Sequence, residues 1–198
     1  MAIIPKSTTL VFLGRSGCGK DTQIGFLLKQ PDFQGAVQSA TGTSFREYSR
    51  RNTVLGRKTK KILAEGARQP DWFAFAVWLF SVGEKLLAEE ILISSGSPRS
   101  LREAELIDEA LEFMERFRAV AVLLEVGPAE AKTRLLARGR HDDNESEIAN
   151  RLAWFETDVI PAVKYYEQKG RLIKVNGEQS PERVFEELEK KLDEYFAK

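Results

Sequence analysis

The sequence predicts an α/β protein in three layers: a parallel sheet with helices on both faces. Three observations carry this. Short apolar runs rich in β-branched residues alternate with amphipathic stretches from end to end, the pattern of βαβ units with right-handed crossovers. The 198 residues suit one domain with a sizeable core. A glycine-rich turn joins the first apolar run to the first amphipathic stretch, and ligands in such sheets sit at the carboxyl ends of the strands.

The elements follow in order. Thr8 to Leu13 reads as a buried strand closed by Gly14. A helix is expected from about Gly19 to Gln30, stopped by Pro31. Ala36 to Gln38 reads as a short second strand. Thr41 to Arg51 and Thr53 to Glu65 read as helices, with Gly66 as a C-terminal cap. Pro70-Asp71 opens a long helix, with proline in the first turn and an acid favourable to the helix dipole. Ile91 to Ser94 is the next strand, Ser100 to Arg118 a helix, and Ala119 to Val126 the most apolar strand. A helix starts at Pro128, and residues 144 to 169 read as one long helix. Arg171 to Val175 is the last strand, and Ser180-Pro181 starts the terminal helix.

Composition excludes several classes. The chain is 42% hydrophobic and 30% charged, which is ordinary globular usage. Lys plus Arg equals Asp plus Glu at 30 each, so no cationic excess points to nucleic acid or a membrane surface. A single Cys excludes a disulfide framework. The first residues lack the pattern of a signal peptide, and the apolar run Trp72 to Phe80 is too short to span a bilayer. The expectation is a cytoplasmic monomer with small-molecule partners. Trp72, Phe73, Phe75 and Trp78 lie at a spacing that reads as core packing.

Gly14-Arg15-Ser16-Gly17-Cys18-Gly19-Lys20 matches G-x-x-x-x-G-K, a phosphate loop, in its required place between strand and helix. The glycines let backbone N–H groups turn in around phosphates, the helix terminus adds partial positive charge, and Lys20 reaches the outer phosphates. Cys18 reads as a small filler. The pattern then asks for a Mg²⁺-binding Ser or Thr, but the chain has Asp21, followed by Thr22 and Gln23.

Gly14 to Gln23 resembles the G-x-x-G-x-G-K-G-T-Q signature of adenylate kinases. Four further segments agree in order. Thr41-Gly42-Thr43-Ser44-Phe45-Arg46 resembles T-G-D-x-[LF]-R. Gly96-Ser97-Pro98-Arg99 resembles D-G-F-P-R without its Asp and Phe. Arg134-Leu135-Leu136-Ala137-Arg138 resembles R-x-x-x-R. Arg140-His141-Asp142-Asp143-Asn144-Glu145, with Arg151, resembles R-x-D-D-x-E…R. The resemblance implies the P-loop NTPase fold with a five-stranded parallel sheet, a small NMP-binding lobe near residues 40–70 and a lid. It implies phosphoryl transfer from ATP to a nucleoside monophosphate with Mg²⁺.

It also implies roles. Gly14 to Thr22, Arg134 and Arg138 bind ATP, with Arg134 on the adenine and Arg138 on the phosphates. Thr41, Gly42, Arg46, Gln69, Gly96, Arg99 and Glu103 bind the monophosphate. Lys20, Arg99, Arg138, Arg140 and Arg151 surround the transferring group, and Asp142 and Asp143 orient the lid arginines. Chemically this is coherent, because transfer between two anions needs rigid cationic donors held in line. Only Gly139 separates Arg138 from Arg140, so the lid, about 138–143, is minimal. His141, the only histidine, reads as a lid-surface residue.

Two positions leave the acceptor and the metal open. Where the family places a Gln after the Pro-Arg segment, this chain has Glu103. A carboxylate can take the adenine N6–H or suit the adjacent N–H donors of guanine, and it equally fits a solvated helix surface. AMP is the expected acceptor, with GMP and CMP as alternatives. The family's acid ahead of Gly-x-Pro-Arg organises Mg²⁺, and here that position is Ser95. One reading moves the carboxylate to Asp21, helped by Ser95 or Thr22. The other turns Asp21 to solvent and makes the chain a slow enzyme or a nucleotide-binding regulator. A P-loop GTPase is disfavoured because no N-K-x-D occurs, although Ala121 to Glu125 has the look of a Walker B strand.

Overall fold

The computed structural model describes residues 4–139 and 144–197. Five parallel strands form one sheet: β1 (Thr9–Leu13), β2 (Val37–Ala40), β3 (Leu92–Ser95), β4 (Val120–Glu125) and β5 (Leu172–Asn176). Their order is β2-β3-β1-β4-β5, so β1 is central and wholly buried. Nine helices connect them among the described residues: α1 (Lys20–Leu27), α2 (Thr41–Ser49), α3 (Val54–Ala64), α4 (Asp71–Gly83), α5 (Leu101–Phe113), α6 (Pro128–Arg138), α7 (Glu145–Trp154), α8 (Ile160–Gln168) and α9 (Pro181–Phe196).

The period of two along β1 divides the core. Leu10 and Phe12 face one layer, where Ile24 and Leu27 of α1 and Leu188 and Leu192 of α9 meet them. Val11 and Leu13 face the other, against Trp78, Ile107 and Tyr166. Each side chain buried in this way contributes about 1.5–3 kcal/mol. The helices α2 and α3 stand outside the two layers. A third cluster of Phe45, Phe73, Ala74 and Val77 joins this pair to α4. No helix among the described residues is long and apolar enough to cross a membrane.

The differences from expectation have local causes. The helix after the phosphate loop ends at Leu27, and a short 3-10 turn covers Pro31–Phe33. The helix from 100 stops at Phe113, with Glu115 at φ 54 just beyond. The stretch 144–169 is not one helix. A π-helical segment, Phe155–Val159, separates α7 from α8. Pro161 lies in the first turn of α8, and its missing N–H cannot continue the ladder. The aromatic run is only partly core: Phe73 and Trp78 are buried, whereas Trp72 and Phe80 are exposed.

Candidate active site

Three strand ends build the floor of the site. Register places Ala40 beside Ser95, and Ser95 beside Phe12. The next residues along each chain segment, Thr41, Gly96 and the phosphate loop, therefore gather at one edge of the sheet. Above them opens a cleft of about 500 Å³.

The phosphate loop is shaped by positive φ. Gly14 has φ 136, and a Cβ there would lie 2.7 Å from the Leu124 carbonyl. At Gly17, φ is 85 and a Cβ would lie 2.8 Å from the Ala131 carbonyl. Only glycine fits both positions. Lys20 folds back along the loop, its Nζ donating to the carbonyls of Gly14 (2.8 Å) and Arg15 (3.0 Å). The Cys18 side chain is buried inside the loop, consistent with a filler.

Ser16 to Thr22 line the cleft, and so do Gly42, Arg46, Ser95, Gly96, Arg99, Arg134, Arg138 and Arg151. Arg46 donates to the Thr43 hydroxyl at 3.1 Å. Arg134 is held by Glu130, one turn earlier, at 2.7 Å. Arg99 lies over the Trp154 ring at 5.4 Å. Burial pulls the Arg99 guanidinium below its ordinary value; Glu103 opposes this, and the like charges of Arg151, Arg46 and Arg68 add to it. An anion arriving among these arginines relieves that repulsion.

Two features at the end of β2 and β3 suit a ligand. Thr41 is buried, and its hydroxyl has no hydrogen-bond partner among the described residues. A Cβ on Gly96 would lie 2.8 Å from that hydroxyl and 3.4 Å from an Arg99 nitrogen. The bare glycine keeps this corner open. At the end of β3, the Ser95 hydroxyl donates to the Asp21 carboxylate at 3.1 Å.

Three of the predicted residues are used differently. Arg15 turns its guanidinium away, donating to the Val126 carbonyl at 2.9 Å, pairing with Glu156 and covering the Phe155 ring. Gln69 is buried, with its amide donating to the Thr59 carbonyl at 3.4 Å. Glu103 is neither a base reader in the cleft nor a solvated surface acid. It is 1% exposed. Its Oε2 accepts from the Ser97 hydroxyl (2.8 Å) and the Arg99 backbone N–H (3.0 Å), and its Oε1 accepts from Arg68 (3.1 Å). Burial pushes this carboxyl up, and its hydrogen bonds and the charges of Arg99 and Arg68 oppose the shift. Glu103→Gln is therefore expected to leave the ranking of acceptor nucleotides unchanged in competition assays. A reordered ranking would return Glu103 to the base. Arg140, Asp142 and Asp143 lie outside the described residues.

Two contributors were invisible in the sequence. Trp154 lines the cleft, stacks on Arg99 and donates from its ring nitrogen to the Gly66 carbonyl at 3.0 Å. Arg68 belongs to no motif, yet it holds the buried Glu103. Only the fold brings residues 66, 99 and 154 together.

A parallel sheet with a phosphate loop and a group of arginines lining one cleft at its strand ends defines a P-loop phosphotransferase. The adenylate kinase family model matches residues 12–171. An adenylate kinase of Synechococcus sp. (strain CC9902) is 33% identical over 184 residues, covering 93% of this chain and 98% of its own. One from Thermus thermophilus is 33% identical, covering 89% and 92%. Adenylate kinase 1 of Synechocystis sp. is also 33% identical, covering 91% and 95%. The chain belongs to the adenylate kinase family and is a nucleoside monophosphate kinase.

Proposed function

We propose that the protein transfers the γ-phosphoryl group of ATP to AMP, giving two ADP, with Mg²⁺ as the metal. The observation that carries this is that the phosphate loop and five arginines, Arg46, Arg99, Arg134, Arg138 and Arg151, line one cleft. The relatives' names favour AMP.

The residues divide the work. Backbone N–H groups of Gly17 to Lys20 cradle the ATP phosphates, with Arg134 beside the adenine and Arg138 on the phosphates. Arg46 and Arg99 grip the monophosphate, and the Thr41 hydroxyl is available to it. Residues 40–70 form the acceptor lobe, with Arg151 beside the transferring group. Fixed cations in place before the reaction stabilise charge that develops on the equatorial oxygens without reorganisation. Closure over the cleft excludes water, which would otherwise compete as acceptor.

The donor set fits Mg²⁺. Asp21, Thr22 and Ser95 are hard oxygen groups lining the cleft beside Lys20, and Mg²⁺ takes one or two carboxylates with substrate phosphates. When bound, it supplies neutralisation of the β- and γ-phosphate charge.

The test is ATP-Mg turnover against AMP, GMP, CMP, UMP and dTMP, with AMP expected to give the highest kcat/KM. A different leading acceptor would overturn the base assignment. ATP binding without ADP formation from any acceptor would overturn turnover in favour of a regulatory role.

A further inference from the structure

Arg68 stands where the chain leaves the α2–α3 pair. Its guanidinium meets carboxylates from three elements: Asp71 at the start of α4, Glu103 in the first turn of α5 at 3.1 Å, and Asp158 in the π-helical segment at 3.2 Å. The three are not equivalent. Asp71 and Asp158 are each 32% exposed and can turn to water, whereas Glu103 is 1% exposed and cannot. A buried carboxylate left without its counter-ion is strongly unfavourable. Burial alone would lower the Arg68 guanidinium, but its hydrogen bond to Asp71 and the charges of Asp71, Glu103 and Asp158 hold it above its ordinary value.

Glu103 then passes the constraint on. One oxygen takes Arg68; the other takes the Ser97 hydroxyl and the Arg99 backbone N–H. Both of these donors lie in the turn that follows β3 and carries the Arg99 side chain into the cleft. We infer that Arg68 is a positioning residue for the monophosphate site: by fixing Glu103 as a buried carboxylate, it sets the Ser97–Arg99 backbone and so the placement of the Arg99 guanidinium, without touching substrate. This deepens the reading above and rests on its assignment of Arg99 to the monophosphate. It also explains why the acid at position 103 is withdrawn from the cleft.

The experiment compares wild type with Arg68→Met, Arg68→Lys and Arg68→Met/Glu103→Gln. The readouts are kcat, KM for AMP and for ATP, thermal unfolding, and hydrogen exchange of the Arg99 amide by NMR. Misplacing a binding group by about 1 Å can cost on the order of 10²-fold. Arg68→Met is expected to lower kcat/KM for AMP by roughly 10- to 100-fold on that scale, with KM for ATP nearly unchanged and faster exchange at the Arg99 amide. The double variant removes the orphaned charge and is expected to regain most of the AMP efficiency and amide protection, with Arg68→Lys between. If Arg68→Met only lowers the unfolding temperature, or the double variant is no better than the single, Arg68 is merely structural and the inference fails. Should Arg68→Met not fold, the lysine and double variants decide. Absence of wild-type turnover with every monophosphate would sink the functional reading instead, and the Arg99 amide would still judge Arg68.

Discussion

Arg99→Ala is expected to lower kcat by about 10³-fold, the scale of an arginine that meets charge developing in phosphoryl transfer. The loss should fall on kcat and on the AMP terms, while the ATP dissociation constant measured by calorimetry stays close to wild type. The reason is geometric. Arg99 lies in the turn just beyond β3, is half-buried with its guanidinium over the Trp154 ring, and shares the lining of the cleft with Arg46 and Arg151. Its rigid placement means that little ordering remains to be done when the monophosphate arrives. Arg46→Ala, by contrast, should act mainly on KM for AMP, because Arg46 sits on α2 and has a neighbouring Thr43 to hold it. A loss of ATP affinity equal for both variants, with kcat intact, would contradict this division.

The parts of the site legible in the sequence are those fixed by local chemistry. The phosphate loop is contiguous, and its glycines are demanded by backbone geometry at Gly14 and Gly17. Arg46, Arg99, Arg134 and Arg138 each sit inside a short pattern anchored to a strand end or a helix. The strands were legible because β1 and β4 are buried on both faces and so read as unbroken apolar runs. What failed to show was the work of side chains far apart in sequence. The sequence leaves Glu103 two readings, base or solvent, and the fold gives it a third. That outcome depends on Arg68, 35 positions away, which no local pattern marks. The π-helical segment was hidden in the same way. Helical periodicity runs straight through it, yet there the acids Glu156 and Asp158 reach Arg15 and Arg68, a use of a π-bulge for aiming side chains.

Asp21→Ala is expected to raise the Mg²⁺ concentration needed for half-maximal activity by about 10-fold or more, the range seen when a group supporting a bound metal is removed. The motive is geometric as well as chemical. Ser95 ends β3 without a charge, and its hydroxyl donates 3.1 Å across to the carboxylate of Asp21 at the start of α1. A strand end that lacks an acid is thus tied to the one acid that follows the phosphate-loop lysine. The helix dipole tolerates a carboxylate there. Without metal, that carboxylate repels a triphosphate, so wild-type ATP affinity should depend steeply on Mg²⁺. Removing it should raise metal-free ATP affinity while weakening the Mg²⁺ response, a change visible by calorimetry without any turnover. Ser95→Asp placed in the Asp21→Ala background should then restore the Mg²⁺ response, because it returns one negative charge to the same corner from the opposite wall. If Asp21→Ala leaves both titrations where they were, Asp21 is a solvent-facing helix-start acid. If it improves activity at low Mg²⁺, the carboxylate is a hindrance, and the shift of charge from strand end to helix start has to be abandoned.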